Sequence, residues 1–128
     1  MTGQILMVDD EPDAQDLFRQ NFRREIRKGV YNFGFAGSGE SALDALDHAE
    51  EEVMLVLSDI NMPGMSGIEL LQEVRSRWPQ LPVMMITAYG DAATEAKVRA
   101  LGAEQFLTKP VDFTDLKQKL SQYVGDTP

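Results

Sequence analysis

Five side chains in this sequence stand where a short apolar run gives out, and their functional groups complement one another. Ile5-Leu6-Met7-Val8 stops at Asp9-Asp10, Val53-Met54-Leu55-Val56-Leu57 leads to Asp59, the run over 82–87 ends in Thr87, and Gln105-Phe106-Leu107 leads to Lys109. If these ends meet, three carboxylates share one pocket. Like charges that close raise one another's pKa and destabilise the empty site. A divalent cation relieves the repulsion, and oxygen ligands with no His or Cys nearby point to Mg²⁺ or Mn²⁺. Lys109 adds a positive charge and Thr87 a hydroxyl donor. A metal, an ammonium and a hydroxyl around one carboxylate are the parts of a phosphoryl-transfer site. The carboxylate then serves as the acceptor and becomes an acyl phosphate.

Each piece alone has an ordinary structural reading. Asp-Asp after a strand often caps a helix. Asp59 suits a turn, Thr87 suits a strand on propensity alone, and a lone Lys109 is normally solvated surface. Lys109-Pro110 says more, because an X-Pro bond in a tight loop can be cis and fix the direction of the lysine. The occurrence of all these residues in order at successive strand ends is what makes the set specific.

The elements that must position them read as a regular alternation. Four- to six-residue apolar runs without polar interruption are the pattern of buried parallel strands. Between them, Ala14, Leu17, Phe18, Phe22 and Ile26 follow at helical spacing after Pro12, and Gly29 ends that helix. Tyr31, Phe33 and Phe35 alternate with polar or small residues as a second strand. Ser38 or Gly39 starts a helix carrying Ala42, Leu43 and Leu46, and Met62-Pro63-Gly64 with Ser66-Gly67 marks a long turn. Ile68, Leu71 and Val74 form the next helix before Pro79, residues 91–101 another, stopped by Gly102, and Phe113, Leu116, Leu120 and Val124 the last. Strand and helix thus alternate about five times, which predicts an α/β doubly wound sheet with helices on both faces. Function in such folds gathers at the carboxyl ends of the strands, where the five side chains lie. The whole of residues 1–128 reads as one domain with a core over about 4–124.

Composition narrows the function classes. At 43% hydrophobic residues the chain can fill a core, so disorder is excluded despite a formal net charge of −9. The acidic balance argues against direct binding to nucleic acid or an anionic membrane, both of which need clustered Lys and Arg. There is no cysteine, so disulfides, thiolate zinc sites and a Cys nucleophile are excluded. The single histidine, His48, rules out a three-His metal site within one chain. No apolar run is long enough for a membrane-inserted helix, and Met1-Thr2-Gly3-Gln4 leads straight into a strand-like run without a signal-peptide pattern. The reading is of a cytoplasmic protein.

Val8-Asp9-Asp10-Glu11-Pro12, residues 58–67 (SDINMPGMSG), Ile86-Thr87-Ala88 and Thr108-Lys109-Pro110 resemble the signature segments of bacterial response-regulator receiver domains. The resemblance runs over nearly the whole chain and implies a flavodoxin-like, five-stranded parallel sheet in strand order 2-1-3-4-5. By position, Asp59 resembles the phosphoacceptor and Asp10 the direct metal ligand, with Asp9 acting through water. The backbone carbonyl of Asn61 would be a further ligand to Mg²⁺ or Mn²⁺. Lys109 would pair with phosphoryl oxygens, and Thr87 would turn inward to meet them. Phe106 matches the switch aromatic, and Asn61 and Tyr89 match the positions that tune autodephosphorylation. The implied donor is a phosphohistidine on a sensor histidine kinase or a histidine phosphotransfer protein, and the implied recipient of the signal is an output domain or downstream protein. The chain would be a phosphoacceptor switch, not an enzyme acting on external substrates.

Some features depart from the family pattern. Phe106 lacks the hydroxyl of the tyrosine often found there, so packing alone would favour its inward pose. Glu104-Gln105-Phe106 lacks the paired acidic residues of the winged-helix transcription-factor subfamily, so a phosphorylation-dependent dimer would need another geometry. A dehalogenase-type phosphatase would need a second Asp where Asn61 stands. A flavodoxin would need phosphate-binding amides where Asp9-Asp10-Glu11 would repel one. A pseudo-receiver that only binds partners would have lost one of the site residues. Gly125-Asp126-Thr127-Pro128 reads as a tail or the start of a linker from the front part of a longer regulator. Arg19, Arg23, Arg24, Arg27 and Lys28 read as a solvated face near a helix C-terminus, where cations suit the dipole. Glu50-Glu51-Glu52, His48 and Trp78 read as surface or packing residues, and Met62 and Met65 as packing beside the acceptor.

Overall fold

The computed structural model describes residues 4–30, 32–49, 52–88 and 90–123. Five parallel strands, β1 (Gln4–Val8), β2 (Asn32–Ala36), β3 (Val53–Asp59), β4 (Val83–Thr87) and β5 (Gln105–Thr108), form one sheet in the order β2-β1-β3-β4-β5. This is the doubly wound order that the resemblance to receiver domains implies. The helices are α1 (Pro12–Asn21), α2 (Arg23–Arg27), α3 (Gly39–Asp47), α4 (Gly67–Arg77), α5 (Ala92–Ala100) and α6 (Phe113–Ser121).

Alternation along the strands builds two cores. Successive side chains point to opposite faces of a strand. In β1, Leu6 and Val8 enter a cluster with Val56, Met85, Leu70, Leu71 and Val98, under α3, α4 and α5. Ile5 and Met7 enter the other, with Leu57, Met84, Phe18, Phe22 and Leu116, under α1, α2 and α6. Every residue of β4 is buried. A strand covered on both faces needs an apolar residue at every position, which is why β1, β3 and β4 read as unbroken apolar runs.

The first helix departs from the continuous one expected. It breaks at Phe22, which has φ −106° and ψ 14° between α1 and α2. The Phe22 ring is wholly buried, 5.0 Å from the Phe33 ring and 5.9 Å from that of Phe113. The break sits where this ring is packed between a strand and another helix, and the backbone bonds Phe22 N→Phe18 O and Ile26 N→Phe22 O carry the chain across it. Tyr31 and Val124, expected in a strand and the last helix, lie outside the described residues.

Local signals set the helix starts. Ser38 caps α3 by accepting from the Ser41 N–H, and Asp91 and Asp112 cap α5 and α6. Ser66 and Glu69 form a reciprocal capping box at α4. Caps of this kind each stabilise a helix by about 1 kcal/mol. The start of α4 is fixed a second way. Gly67 donates its N–H to the Ile60 carbonyl at 2.8 Å, and a Cβ at Gly67 would meet the Asp59 carbonyl oxygen at 2.1 Å. No side chain fits there, and the helix is held against the end of β3.

Gly67→Ala should therefore destabilise the protein by about 3 kcal/mol or more through overpacking against backbone that cannot yield. Gly37→Ala, where a Cβ would meet nothing within 4 Å, should change stability by less than about 0.5 kcal/mol. Urea unfolding of both variants beside wild type checks this. Equal midpoints for the two would show that the α4 start yields.

Candidate functional site

The sheet register carries the sequence-predicted residues to one edge. Val8 pairs with Ser58, Asp59 with Ile86, and Thr87 with Thr108, so Asp9, Asp59, Thr87 and Lys109 emerge at neighbouring strand ends. The backbone tightens the edge further, with Asp9 N→Ala36 O, Ile60 N→Ile86 O and Lys109 N→Thr87 O bonds of 3.0, 2.9 and 2.8 Å. Asp9 is 2% exposed, Asp59 6% and Thr87 1%, whereas Asp10 faces solvent.

Carboxylate oxygens of Asp9, Asp10 and Asp59 lie within 4.8 Å of one another. Lys109 Nζ stands 2.9 Å from Asp59 Oδ2 and 3.6 Å from Asp9 Oδ2. The Lys109–Pro110 peptide bond is cis. Asp9 Oδ1 accepts from the Glu11 N–H at 2.9 Å, and Asp59 Oδ1 from the Asn61 N–H at 3.2 Å. Asn61 also donates from Nδ2 to Thr87 Oγ1 at 3.3 Å. The pocket is thus a buried oxygen-rich cup with one ammonium in its wall and one exposed carboxylate at its rim. Phe106 is half-buried in β5 and packs on the core cluster under α3, α4 and α5. Met62 is buried in that same cluster, and Met65 lies against Gly39 at the start of α3. Tyr89 lies outside the described residues. His48 and the basic stretch on α1 and α2 stand apart from the cup.

The response regulator receiver domain family model matches residues 5–121. The chain belongs to this family. Its receiver domain is 34% identical over 129 residues to the response regulator protein FleR of Pseudomonas aeruginosa, covering 100% of this chain and 26% of FleR. It is 40% identical over 115 residues to PilR of the same organism, covering 88% of this chain and 24% of PilR. The receiver domain thus spans about a quarter of the length of these curated relatives. Among solved structures, the chemotaxis protein CheY4 of Vibrio cholerae superposes with a TM-score of 0.82 at 26% identity, over 96% of this chain and 99% of that one. The response regulator TrrA of Thermotoga maritima, solved in complex with Mg²⁺ and beryllofluoride, gives a TM-score of 0.79 at 30% identity, over 94% of this chain and 97% of that one.

Three interactions of the receiver site carry no direct sequence signal. The Asn61–Thr87 bond joins residues far apart in the chain. Ser58, 1% exposed, turns its hydroxyl onto the Asp59 carbonyl at 2.9 Å. Gly67 seats α4 against that same carbonyl. The Ser-x-x-Glu spacing of Ser66 and Glu69 is a capping-box signature that places the α4 start, but nothing in the sequence says how closely the backbone approaches there.

Burial dominates the electrostatics of Asp9. It raises the Asp9 pKa, and the charges of Asp59 and Asp10 add to the rise against the opposing Glu11 N–H bond and the Lys109 charge. Burial alone would lower the Lys109 pKa, but the Asp59 hydrogen bond and charge, followed by the charge of Asp9, outweigh it and raise it overall. Lys109 is therefore charged throughout the neutral range. A carboxyl with a raised folded-state pKa contributes stability at low pH that is lost as the pH rises through that pKa. Ionised Asp9 is thus a liability at pH 7 when no cation is present. Asp9→Asn keeps the shape and an acceptor for the Glu11 N–H. It should melt above wild type in EDTA at neutral pH, with the gap closing as the pH falls toward 3.8, the ordinary carboxyl value. A variant that melts below wild type at pH 7 would show that the Lys109 attraction outweighs desolvation.

Proposed function

We propose that this receiver domain accepts a phosphoryl group on Asp59 from a phosphohistidine, with Mg²⁺ or Mn²⁺ as cofactor, and loses it again by its own autodephosphorylation. The observation that carries the reading is Lys109 Nζ at 2.9 Å from Asp59 Oδ2, beside two further carboxylates within 4.8 Å. Hard oxygen donors crowded in a buried cup suit a hard divalent cation. Asp10, Asp59, Asp9 and the Asn61 backbone carbonyl are the residues that would hold it. When bound, it would neutralise the carboxylates and the charge on a transferring phosphoryl group. The structure of TrrA with Mg²⁺ and beryllofluoride supports the same reading for this chain.

In the transfer, an Asp59 carboxylate oxygen forms the new O–P bond as the donor's N–P bond breaks, and the imidazole leaves with the electron pair and takes up a proton. Lys109 orients the acceptor oxygen and then pairs with phosphoryl oxygens. The Thr87 hydroxyl donates to the phosphoryl group once it leaves Asn61, and Phe106 follows into the space beside it. Hydrolysis requires a water in line with the Asp59–phosphorus bond. Asn61 borders that path by its position, and Tyr89 is assigned there by its place two residues after Thr87. The donor would be a sensor histidine kinase or a histidine phosphotransfer protein. The altered surface would act on an output domain or downstream protein, in the cytoplasm, as a monomer or a phosphorylation-dependent dimer. No turnover of an external substrate is assigned to the domain.

Acetyl phosphate with Mg²⁺ should label wild type at one site and leave Asp59→Asn unlabelled by intact mass. Equal labelling of the variant would overturn the acceptor assignment. Followed over time at fixed Mg²⁺, the label on Tyr89→Ala should decay faster than on wild type. Decay at the wild-type rate or slower would remove Tyr89 from the water path.

The metal assignment has its own test. Saturation at ten times the dissociation constant stabilises a folded state by about 1.4 kcal/mol. Mg²⁺ should raise the melting temperature of wild type accordingly, and Asp10→Ala should lose most of that rise. A full shift in Asp10→Ala would show that Asp10 is not a ligand.

A further inference from the structure

The basic stretch of α1 and α2 does not behave as a scattered solvated face. Arg19, Arg23 and Arg27 recur every four residues and, across the break at Phe22, form a row along one groove. Beside the row lies an open groove of about 500 Å³ against β2, with Ile26, Phe33 and Phe35 as its apolar floor. Phe33 and Phe35 stack at 6.0 Å between ring centres, and the Arg19 guanidinium lies 4.4 Å over the Phe35 ring. One end of the row is thus already preorganised on an aromatic face.

The charge balance of the row is unusual for this chain. There are 21 acidic residues and 12 basic ones, yet among the described residues no carboxylate lies within ion-pair distance of Arg23, Arg24, Arg27 or Lys28. Arg19 meets the exposed Asp16 at 3.7 Å. Glu25, in the same segment, is taken by Lys117 on α6 at 3.0 Å. A protein with a large surplus of carboxylates thus has, among the described residues, four cations of this cluster without an ion-pair partner.

We propose that this groove docks an acidic, apolar-bearing segment of a partner protein, with carboxylates one helical turn apart meeting Arg19, Arg23 and Arg27 and an aromatic or aliphatic side chain between them resting on Phe33 and Phe35. The fit follows from chemistry. Guanidinium forks recognise carboxylates in bidentate geometry, and an amphipathic helix presents such groups at four-residue spacing. A nucleic acid would offer phosphates far beyond the row, where the net charge of −9 repels them. An anionic membrane would meet the same repulsion over a wider area. A short acidic segment feels only the row. The groove lies on the β2 side of α1 and does not include the carboxylate cup, so the proposal is independent of the phosphoryl chemistry.

The probe is a fluorescein-labelled synthetic peptide with glutamate at every fourth position and phenylalanine between, titrated with the full chain and followed by anisotropy. A control peptide carries lysine in place of glutamate. The glutamate peptide should bind and the lysine peptide should not. Arg23→Glu should weaken binding by about tenfold or more, the scale of one charge-assisted contact. Lys97→Glu, the same charge change on exposed α5, should leave affinity within about twofold of wild type, because long-range charge is screened. Amide shifts on titration should concentrate in residues 19–28 and 32–36. Equal loss in the two variants, shifts centred elsewhere, or no binding of the glutamate peptide would overturn the proposal. So would tighter binding of single-stranded DNA or phosphatidylserine vesicles than of the peptide, or self-association through this face in sedimentation velocity.

Discussion

Two carboxylates that should repel each other are held under cover by one ammonium, and the functional end of the molecule depends on that arrangement. Asp9 and Asp59 are almost fully buried at the ends of adjacent strands, and Lys109 reaches both. Burying charge is costly unless it is paired and hydrogen-bonded, and here the backbone N–H groups of Glu11 and Asn61 supply the further bonds. Desolvation still wins at Asp9, whose pKa stays raised. The sheet beneath, apolar on both faces, supplies the rigidity that keeps the three groups from drifting apart.

Much of this was legible in the sequence because the relevant signals are local. Unbroken apolar runs announce strands covered on both sides, and a polar residue at the end of each run announces where the sheet edge lies. Asp9, Asp59, Thr87 and Lys109 were therefore readable as one constellation before any coordinates, and Pro110 hinted at the bend beside Lys109. What stayed hidden is set by packing between distant segments. The break at Phe22 falls where its ring packs against β2 and α6, which a helical repeat cannot reveal. The Asn61–Thr87 bond joins two strand-end loops, and the tight seat of Gly67 depends on the path of the backbone after Asp59.

The same limitation explains the basic stretch. As a sequence pattern, five cations near a helix C-terminus suit the helix dipole and need no further account. Only the fold shows that three of them flank stacked phenylalanines on β2, and that among the described residues no carboxylate pairs with Arg23, Arg24, Arg27 or Lys28. The molecule thereby separates its charges, with the buried carboxylates at the strand ends and a row of guanidinium groups on the β2 flank of α1 and α2.

The bond from Asn61 to Thr87 sets an energetic scale for motion at the strand ends. A neutral hydrogen bond of this kind is worth about 0.5–1.5 kcal/mol net. That corresponds to a bias of roughly two- to twelvefold between the bonded arrangement and any other. This contact therefore favours the resting pose of Thr87 without locking it. A single charge-assisted hydrogen bond, worth about 1.5–3 kcal/mol, would be enough to outweigh what this amide contributes.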